Sequence, residues 1–152
     1  MTIALRTAAA IIGSREEAAD VAQDVAVDVL HSLHKLREPE AFDAWVHRIT
    51  VRRTLKAIGK RRAGDVPFAL AEDVPADTPD RDAVLATRTV LARGMKTLPP
   101  RQRVALALRY VHDLDDAQIA AALGCRVGTV HALLSRARAS LREQPELQEL
   151  VR

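Results

Sequence analysis

The chain has 152 residues, of which 48% are hydrophobic but only 3% aromatic, and it contains a single cysteine. This composition predicts a core of Ala, Val and Leu packed on helices, and it excludes an internal disulfide bond. The formal net charge of +3 is too small to identify a binding partner, so the places where charges cluster are more informative.

The first well-patterned segment, residues 15–36, is predicted to be an acidic amphipathic helix. Its apolar stripe consists of Ala18, Val21, Ala22, Val25, Val29, Leu33 and Leu36. The other positions carry Glu16, Glu17, Asp20, Gln23, Asp24 and Asp28. This pattern favours a helix that packs by one face and presents carboxylates on the other.

A second helix is predicted to begin near Glu40, after Pro39, and to become strongly basic. We expect it to bury Phe42, Trp45, Val46 and Ile49. Its basic residues are Arg48, Arg52, Arg53, Lys56, Lys60, Arg61 and Arg62, and no acidic residue occurs from Ala44 to Gly64. Such a run suits a DNA backbone. Trp45 has two interpretations, a core side chain or a stacking surface for an exposed base.

Residues 63–82, reading AGDVPFALAEDVPADTPDRD, differ in composition from both flanks. They include three prolines and six acidic residues, with Arg81 as the one basic residue. This composition predicts an extended acidic linker.

Residues 98–142 predict a helix-turn-helix. Asp115 or Asp116 is placed to cap a short helix, and Gly124 is placed where a left-handed residue ends it. A second helix is predicted from Val127, with Val127, Val130, Leu133, Leu134, Ala137 and Leu141 on its apolar stripe. Cys125 is predicted to be a small buried hydrophobic residue rather than a reactive thiol.

The free face of that second helix points to DNA. It carries Arg126, Gly128, Thr129, His131, Ala132, Ser135, Arg136 and Arg138. Small residues allow close approach to a groove, and arginines reach phosphates and guanine edges. No acidic residue occurs from Ala117 to Arg142, which favours a polyanionic partner. The alternative is a helical hairpin with a basic exterior.

Several motifs in this second half resemble the C-terminal domain of bacterial sigma factors, most closely the extracytoplasmic function type. They are Leu98-Pro99, Arg101-Gln102-Arg103, Leu108-Arg109-Tyr110, Ala117-Gln118-Ile119-Ala120, Leu123-Gly124, Val127-Gly128-Thr129-Val130 and Arg136-Ala137-Arg138. Residues 17–30 are similar to the acidic helix with which that family binds polymerase, and EAFDAWVHRIT is similar to its helix that opens the minus-10 promoter element. The resemblance covers nearly the whole chain.

The resemblance implies three sets of site residues. Core RNA polymerase, through the clamp helices of its beta-prime subunit, would be bound by Asp20, Gln23 and Asp24. The minus-10 element would be engaged by Trp45, Arg48, Arg52, Arg53 and Lys56. The minus-35 element would be read by Arg126, Thr129, His131, Ser135, Arg136 and Arg138. The family also implies a contact of the last domain with the beta flap, a linker path through the polymerase cleft, and an anti-sigma factor as a partner.

The sequence therefore predicts an all-α protein with two small helical domains joined by an acidic, Pro-containing linker. The expected boundaries are residues 1–62 for the polymerase and minus-10 domain, 63–82 for the linker, 83–143 for the helix-turn-helix domain, and 144–152 for a C-terminal tail whose role is left open. Many family members have a further helix ahead of the position equivalent to Ile3. Without it, we expect Val21, Val25 and Val29 to be partly uncovered.

This chain departs from the family at four positions of the predicted interfaces. Ala26 stands where an aromatic residue is common, Arg52 replaces a frequent asparagine, and His131 and Leu133 occupy positions that often carry lysine and arginine. These differences bear on DNA opening and on minus-35 affinity more than on polymerase binding.

The predicted function is that of an alternative sigma factor directing promoter-specific initiation. The alternatives are a free-standing helix-turn-helix regulator that needs no polymerase, and a helical adaptor that binds proteins and does not bind DNA. We expect no enzymatic activity and no cofactor, since no catalytic constellation is visible. His31 and His34 lack the spacing of a metal site. No signal peptide or apolar run of membrane length is present, so we expect a cytoplasmic protein without a membrane partner.

Overall fold

A computed structural model describes residues 2–60 and 81–150. Within those ranges the protein contains helices and no β-strand. The helices are α1 (Thr2–Ile12), α2 (Arg15–Ser32), α3 (Phe42–Lys60), α4 (Arg81–Thr97), α5 (Pro100–Val111), α6 (Asp116–Leu123), α7 (Val127–Arg142) and α8 (Pro145–Leu150). Two single 3₁₀ turns, Leu33–Lys35 and Pro39–Ala41, lie between α2 and α3. The predicted all-α fold is confirmed.

Local chemistry fixes the ends of α6 as the sequence predicted. Of the two candidate caps, Asp115 is the one used: its carboxylate accepts a hydrogen bond from the backbone N–H of Gln118 (2.8 Å), and the Gln118 side chain accepts one from the Asp115 N–H (2.9 Å). Gly124 ends the helix in the left-handed region, at φ 62°. The second helix of the motif, α7, begins at Val127 as predicted.

Small residues let α1 pack closely on α2 and α3. This N-terminal core is made of Ala4, Ala8, Ala9, Ile12, Ala18, Val21, Ala22, Val25 and Ile49. The expectation that Val21 and Val25 would be uncovered is wrong, because α1 reduces their exposure to 5% and 2%. Val29 is half-buried, in line with that expectation.

The start of α3 is less buried than predicted. Val46 and Ile49 lie in the core as expected, but Phe42 is 37% exposed. The reason is its place at the first residue of the helix, just after a 3₁₀ turn, where the chain has not yet reached the core.

The N-terminal and C-terminal helices share a core, a contact that the sequence did not predict. Ile11 of α1 and Val51 of α3 are buried together with the apolar residues of α5, α6 and α7. The Arg103 guanidinium of α5 also donates a hydrogen bond to the carbonyl oxygen of Ile11 at 2.9 Å. We call α1–α3 the N-terminal half and α4–α8 the C-terminal half.

The predicted linker boundary at residue 82 differs from the start of α4, which begins at Arg81. Residues 61–80, which include most of the linker and the predicted basic Arg61 and Arg62, lie outside the described residues. Arg81 and Asp82 already belong to α4. An acidic residue in a first helical turn is favoured by the helix dipole, which accounts for the early start.

The tail forms a docked helix through residue 150. The Gln144 side-chain amide donates to the Thr97 hydroxyl at 2.8 Å, which attaches the tail to α4. Gly94 makes this contact possible, because a Cβ atom there would lie 2.7 Å from the Gln144 side-chain oxygen and 2.8 Å from a Leu147 methyl.

Candidate nucleic-acid interface

One face of α7 is open and lined by small residues. Val130, Leu134 and Ala137 are buried against the rest of the helix-turn-helix. Helical geometry places Gly128, Ala132, Ser135 and Ala139 opposite them. A Cβ atom at Gly128 would meet nothing within 4 Å, so the surroundings of α7 leave room for a ligand to approach its backbone closely.

Four of the six residues predicted to read the minus-35 element are exposed and unengaged. Arg126, Thr129, Ser135 and Arg136 make no side-chain hydrogen bond or ion pair with any described residue. Thr129 and Arg136 lie two turns apart along one edge of the small-residue face, since they are seven positions apart on the helix. These two side chains are therefore positioned to act together.

The other two predicted residues contact neighbouring helices. The His131 ring lies 2.6 Å from a carboxylate oxygen of Asp116, and Arg109 binds the other oxygen of that carboxylate. Arg138 donates to the Tyr110 hydroxyl at 3.0 Å, with its guanidinium carbon 5.8 Å from the ring centre. A carboxylate thus stands beside α7, although none occurs in its own sequence.

Three basic residues of α3 form one exposed row. Arg48, Arg52 and Lys56 recur every four positions, so they follow one another along the helix surface. Trp45 lies on the same side, one turn before them. It is half-buried, it packs against the N-terminal core, and its ring centre is 6.1 Å from that of Phe42. Both interpretations of Trp45 fit this partial burial.

Arg53, the fifth residue predicted for the minus-10 element, faces α2 instead. Its guanidinium donates two hydrogen bonds to the Asp28 carboxylate and lies 3.7 Å from that of Asp24. The hydrogen bonds from Arg53 lower the pKa of Asp28 below its ordinary value. The charge of Arg53 is therefore partly neutralised within the protein.

The acidic face of α2 carries apolar residues that the sequence analysis missed. Asp20, Gln23 and Asp24 are exposed, as predicted. Val27 and Leu30 lie on the same face and are 46% and 73% exposed. Their spacing was the available signal, because both residues fall off the buried stripe and continue the row of Asp20 and Gln23 at helical steps. Exposed apolar groups beside acidic ones are typical of a protein-binding surface.

An apolar groove of about 750 Å³ lies between α1, α4, α5 and α7. Ala9, Ala10, Leu91, Met95, Leu106 and Ala107 contribute to its apolar lining, and Arg6, Arg88, Arg138 and Arg142 line it as well. No Asp or Glu among the described residues lines it. One guanidinium nitrogen of Arg88 is buried and has no hydrogen-bond partner among the described residues. The groove is suited to an anionic, partly apolar ligand.

Two other features bear on the class of protein. Within residues 2–60 and 81–150, no three His, Cys, Asp or Glu side chains are grouped so as to hold a metal ion. In the same ranges no single helix is long and apolar enough to cross a membrane; α6 and α7 pass that test only as a pair, with a bend of 98° between them.

Comparison with known protein families gives two matches, one in each half. Residues 3–64 match the model of sigma-70 region 2, and residues 88–141 match that of sigma-70 region 4. The ECF RNA polymerase sigma factor SigE of Mycolicibacterium smegmatis is 32% identical over 145 residues, which cover 91% of this chain and 55% of that protein. The RNA polymerase sigma-E factor of Streptomyces avermitilis is 30% identical over 146 residues, covering 96% of this chain and 80% of that protein.

Two solved structures share the fold. CnrH, solved in complex with the cytosolic domain of CnrY, has 27% identity and a TM-score of 0.65, over 92% of this chain and 79% of CnrH. The sigma factor RpoE of Bartonella quintana, solved with the anti-sigma factor NepR, has 22% identity and a TM-score of 0.73, over 98% of this chain and 92% of that chain.

Proposed function

This chain belongs to the extracytoplasmic function type of sigma-70 RNA polymerase sigma factors, and from that membership we propose that it binds core RNA polymerase and directs promoter-specific transcription initiation. The observation that carries the proposal is the separation of three exposed surfaces: an acidic and apolar face on α2, a basic row on α3, and a small-residue face with arginines on α7. In this function the polymerase catalyses RNA synthesis, and the protein acts where the polymerase does, in the cytoplasm.

The α2 face is the proposed contact with the beta-prime clamp helices of the polymerase. Polar and ionic contacts come from Asp20, Gln23 and Asp24. Apolar surface that is buried on binding comes from Val27 and Leu30. An interface that combines exposed apolar residues with a charged rim is stronger than one built from carboxylates alone, since exposed ion pairs contribute little.

The two basic surfaces are the proposed promoter contacts. Arg48, Arg52 and Lys56 of α3 engage the phosphates of the minus-10 element beside Trp45, and Arg53 does so only when it leaves Asp28. Arg126, which precedes α7, and Thr129, Ser135 and Arg136 of α7 contact the minus-35 element, with His131 and Arg138 at the edge of that surface.

The arginine-lined groove is the proposed contact for an anti-sigma factor. Both related structures are complexes with another protein. In the RpoE complex that protein, NepR, is an anti-sigma factor. The absence of carboxylates among the described lining residues and the unpartnered nitrogen of Arg88 support a segment with both acidic and apolar side chains as the occupant.

Co-elution of the chain with bacterial core RNA polymerase on a sizing column tests the proposal. We expect the unmutated chain to co-elute, and the Asp20→Ala, Gln23→Ala double variant to bind at least about tenfold more weakly. A Val27→Ser, Leu30→Ser variant is expected to lose a similar amount. The matched control is Glu143→Ala with Glu149→Ala, two exposed carboxylates away from α2.

The result separates the proposed function from its alternative. A free-standing helix-turn-helix regulator would bind duplex DNA without polymerase, and its binding would be indifferent to both α2 variants. Failure of the folded, unmutated chain to co-elute with polymerase, together with tight duplex binding by the chain alone, would overturn the proposal in favour of that regulator.

A further inference from the structure

Two histidines meet where the N-terminal half packs on the C-terminal half. His47 of α3 is 4% exposed, and His112 follows the end of α5. Their ring centres are 4.8 Å apart and their planes are tilted by 70°. Thr7 of α1 completes the cluster, because its hydroxyl oxygen lies 2.7 Å from Nε2 of His112. We call these three residues the histidine cluster.

The protons of the histidine cluster can be assigned from its hydrogen bonds. The Thr7 hydroxyl donates its only proton to the carbonyl oxygen of Ile3 at 2.8 Å. It must therefore accept from His112, so Nε2 of His112 carries a proton and Nδ1 is bare in the neutral ring. Nδ1 of His47 is buried and has no hydrogen-bond partner among the described residues. This arrangement accommodates two neutral rings.

Burial is the main reason why the cluster resists protonation, and the surrounding charges act in both directions. Burial lowers the pKa of both rings, and the neighbouring His47 and Arg6 lower that of His112 further, to about 4. Asp43 of α3 acts in the opposite direction on His47. Two other charged groups of the facing helices have partners outside the cluster: Arg103 of α5 binds the Ile11 carbonyl, and Arg109 binds Asp116 of α6.

We propose that the histidine cluster is an acid-sensitive latch that holds the two halves together while both rings are neutral and releases them from each other when the rings are protonated. The cluster joins α1, α3 and the end of α5, which are three of the four described helices through which the halves meet; the fourth, α6, packs on α3. Release leaves most of the helical packing in place, because the N-terminal half keeps the core around Ala8, Ile12 and Val21 and the C-terminal half keeps the core of α5, α6 and α7, while Ile11 and Val51 lose their cover. The basic row of α3 and the DNA-facing side of α7 then move independently.

The direction of the pH dependence follows from proton linkage. A histidine in the separated halves titrates near its ordinary pKa of about 6.5, while His112 in the closed protein titrates near 4. The latch is therefore complete above about pH 6.5. Below that pH His112 alone lowers the ratio of closed to separated molecules about tenfold for each pH unit, until the pKa of the closed form is reached, and His47, whose pKa is also lowered, makes the fall steeper.

Energy transfer between dyes on the two halves measures the latch directly. The dyes are attached at Glu16→Cys on α2 and Ala139→Cys on α7, both exposed positions, in a Cys125→Ser background. We expect transfer efficiency to fall between pH 6.5 and 4.5, while far-ultraviolet circular dichroism shows unchanged helix content. In the His47→Phe, His112→Gln variant, which keeps a ring and a donor but cannot titrate, transfer is expected to stay constant.

Exposed histidines provide the matched control. A His31→Gln, His34→Gln variant, altered at two exposed histidines, is expected to titrate like the parent. If the His47→Phe, His112→Gln variant lacks its helical signal at neutral pH, His112→Gln alone is used. Constant transfer in the parent, an identical titration in the latch variant, or loss of helix content together with transfer would each overturn the proposal.

Discussion

The two basic helices, α3 and α7, look alike in sequence but differ in how much charge they present. Residues 44–64, which include all of α3 after its first turn, and residues 117–142, which include all of α7, contain no Asp or Glu. In the fold, α3 packs against the acidic α2, and the Asp28 carboxylate of α2 binds the Arg53 guanidinium of α3. On α7, Arg136 contacts no described acidic residue. The Asp116 carboxylate of α6 binds the His131 side chain of α7. The charge offered to DNA depends on the neighbouring helix as well as on the helix itself.

This difference suggests different uses of the two surfaces. In the proposed function, Arg136 of α7 binds a rigid duplex without first leaving a partner among the described residues. On α3, Arg53 is bound to Asp28 and Trp45 is half-buried. In the proposed function both side chains become available to DNA when the two DNA strands separate. Three substitutions break or sharpen the comparison, and they are described from the largest expected effect to the smallest.

Loss of Arg136 removes an unpaired charge from α7. We expect Arg136→Ala to weaken binding to a duplex selected by the unmutated chain roughly tenfold at low salt, and to reduce the slope of log affinity against log salt by about one. Fluorescence anisotropy over a salt series measures both. Arg93→Ala is the control, since Arg93 is exposed on α4 and its guanidinium lies 3.5 Å from Glu146. Binding unchanged at every salt concentration would remove Arg136 from the site.

Loss of the Asp28 charge should leave Arg53 of α3 without its closest ion-pair partner; Arg136 of α7 has none among the described residues. We expect Asp28→Asn to free Arg53 and to raise affinity for single-stranded DNA about threefold, with salt dependence steeper by up to about one. Because both side chains of the pair keep part of their surface in water, we expect the loss of folding stability to be about 1 kcal/mol. Anisotropy and thermal unfolding are measured together. Lower affinity in a folded variant would show that Asp28 positions Arg53 for DNA rather than withholding it.

The Asp28 pair also has a defined pH range. Because the pKa of Asp28 is lowered in the folded protein, the stabilisation is present above the ordinary pKa of about 4 and is lost as the pH falls through the lowered value. The difference in melting temperature between the parent and Asp28→Asn should therefore persist at pH 5, where the histidine cluster is already releasing the halves.

Loss of the Asp116 charge should have the smallest effect. Asp116→Asn leaves the Asp115 cap intact and removes the carboxylate that binds His131 at the edge of the DNA-facing side of α7, so we expect duplex affinity to rise about twofold. Asp82→Asn, at an exposed position in the first turn of α4, is the control. A fall in affinity would mean that Asp116 orients His131 for base contact.

Much of the local structure was predictable because its causes are local. The capping box of Asp115 and Gln118 and the left-handed Gly124 depend on neighbouring residues, and the start of α7 follows from them. The burial of Val46 and Ile49 followed from helical spacing. Phe42, the end of the linker and the cover over Val21 and Val25 were predicted wrongly, because each depends on where another segment of chain begins or packs.

The sequence by itself determined the family, the all-helical fold, the helix-turn-helix and the faces on which acidic and basic residues lie, since helical periodicity assigns a face to every residue. Tertiary structure alone decided which charges remain available and which residues meet. Arg53 and Asp28 are 25 residues apart, and Thr7 and His112 are 105 apart. No spacing rule reaches that far, because contacts over such distances arise only when the helices pack against each other and water is excluded between them.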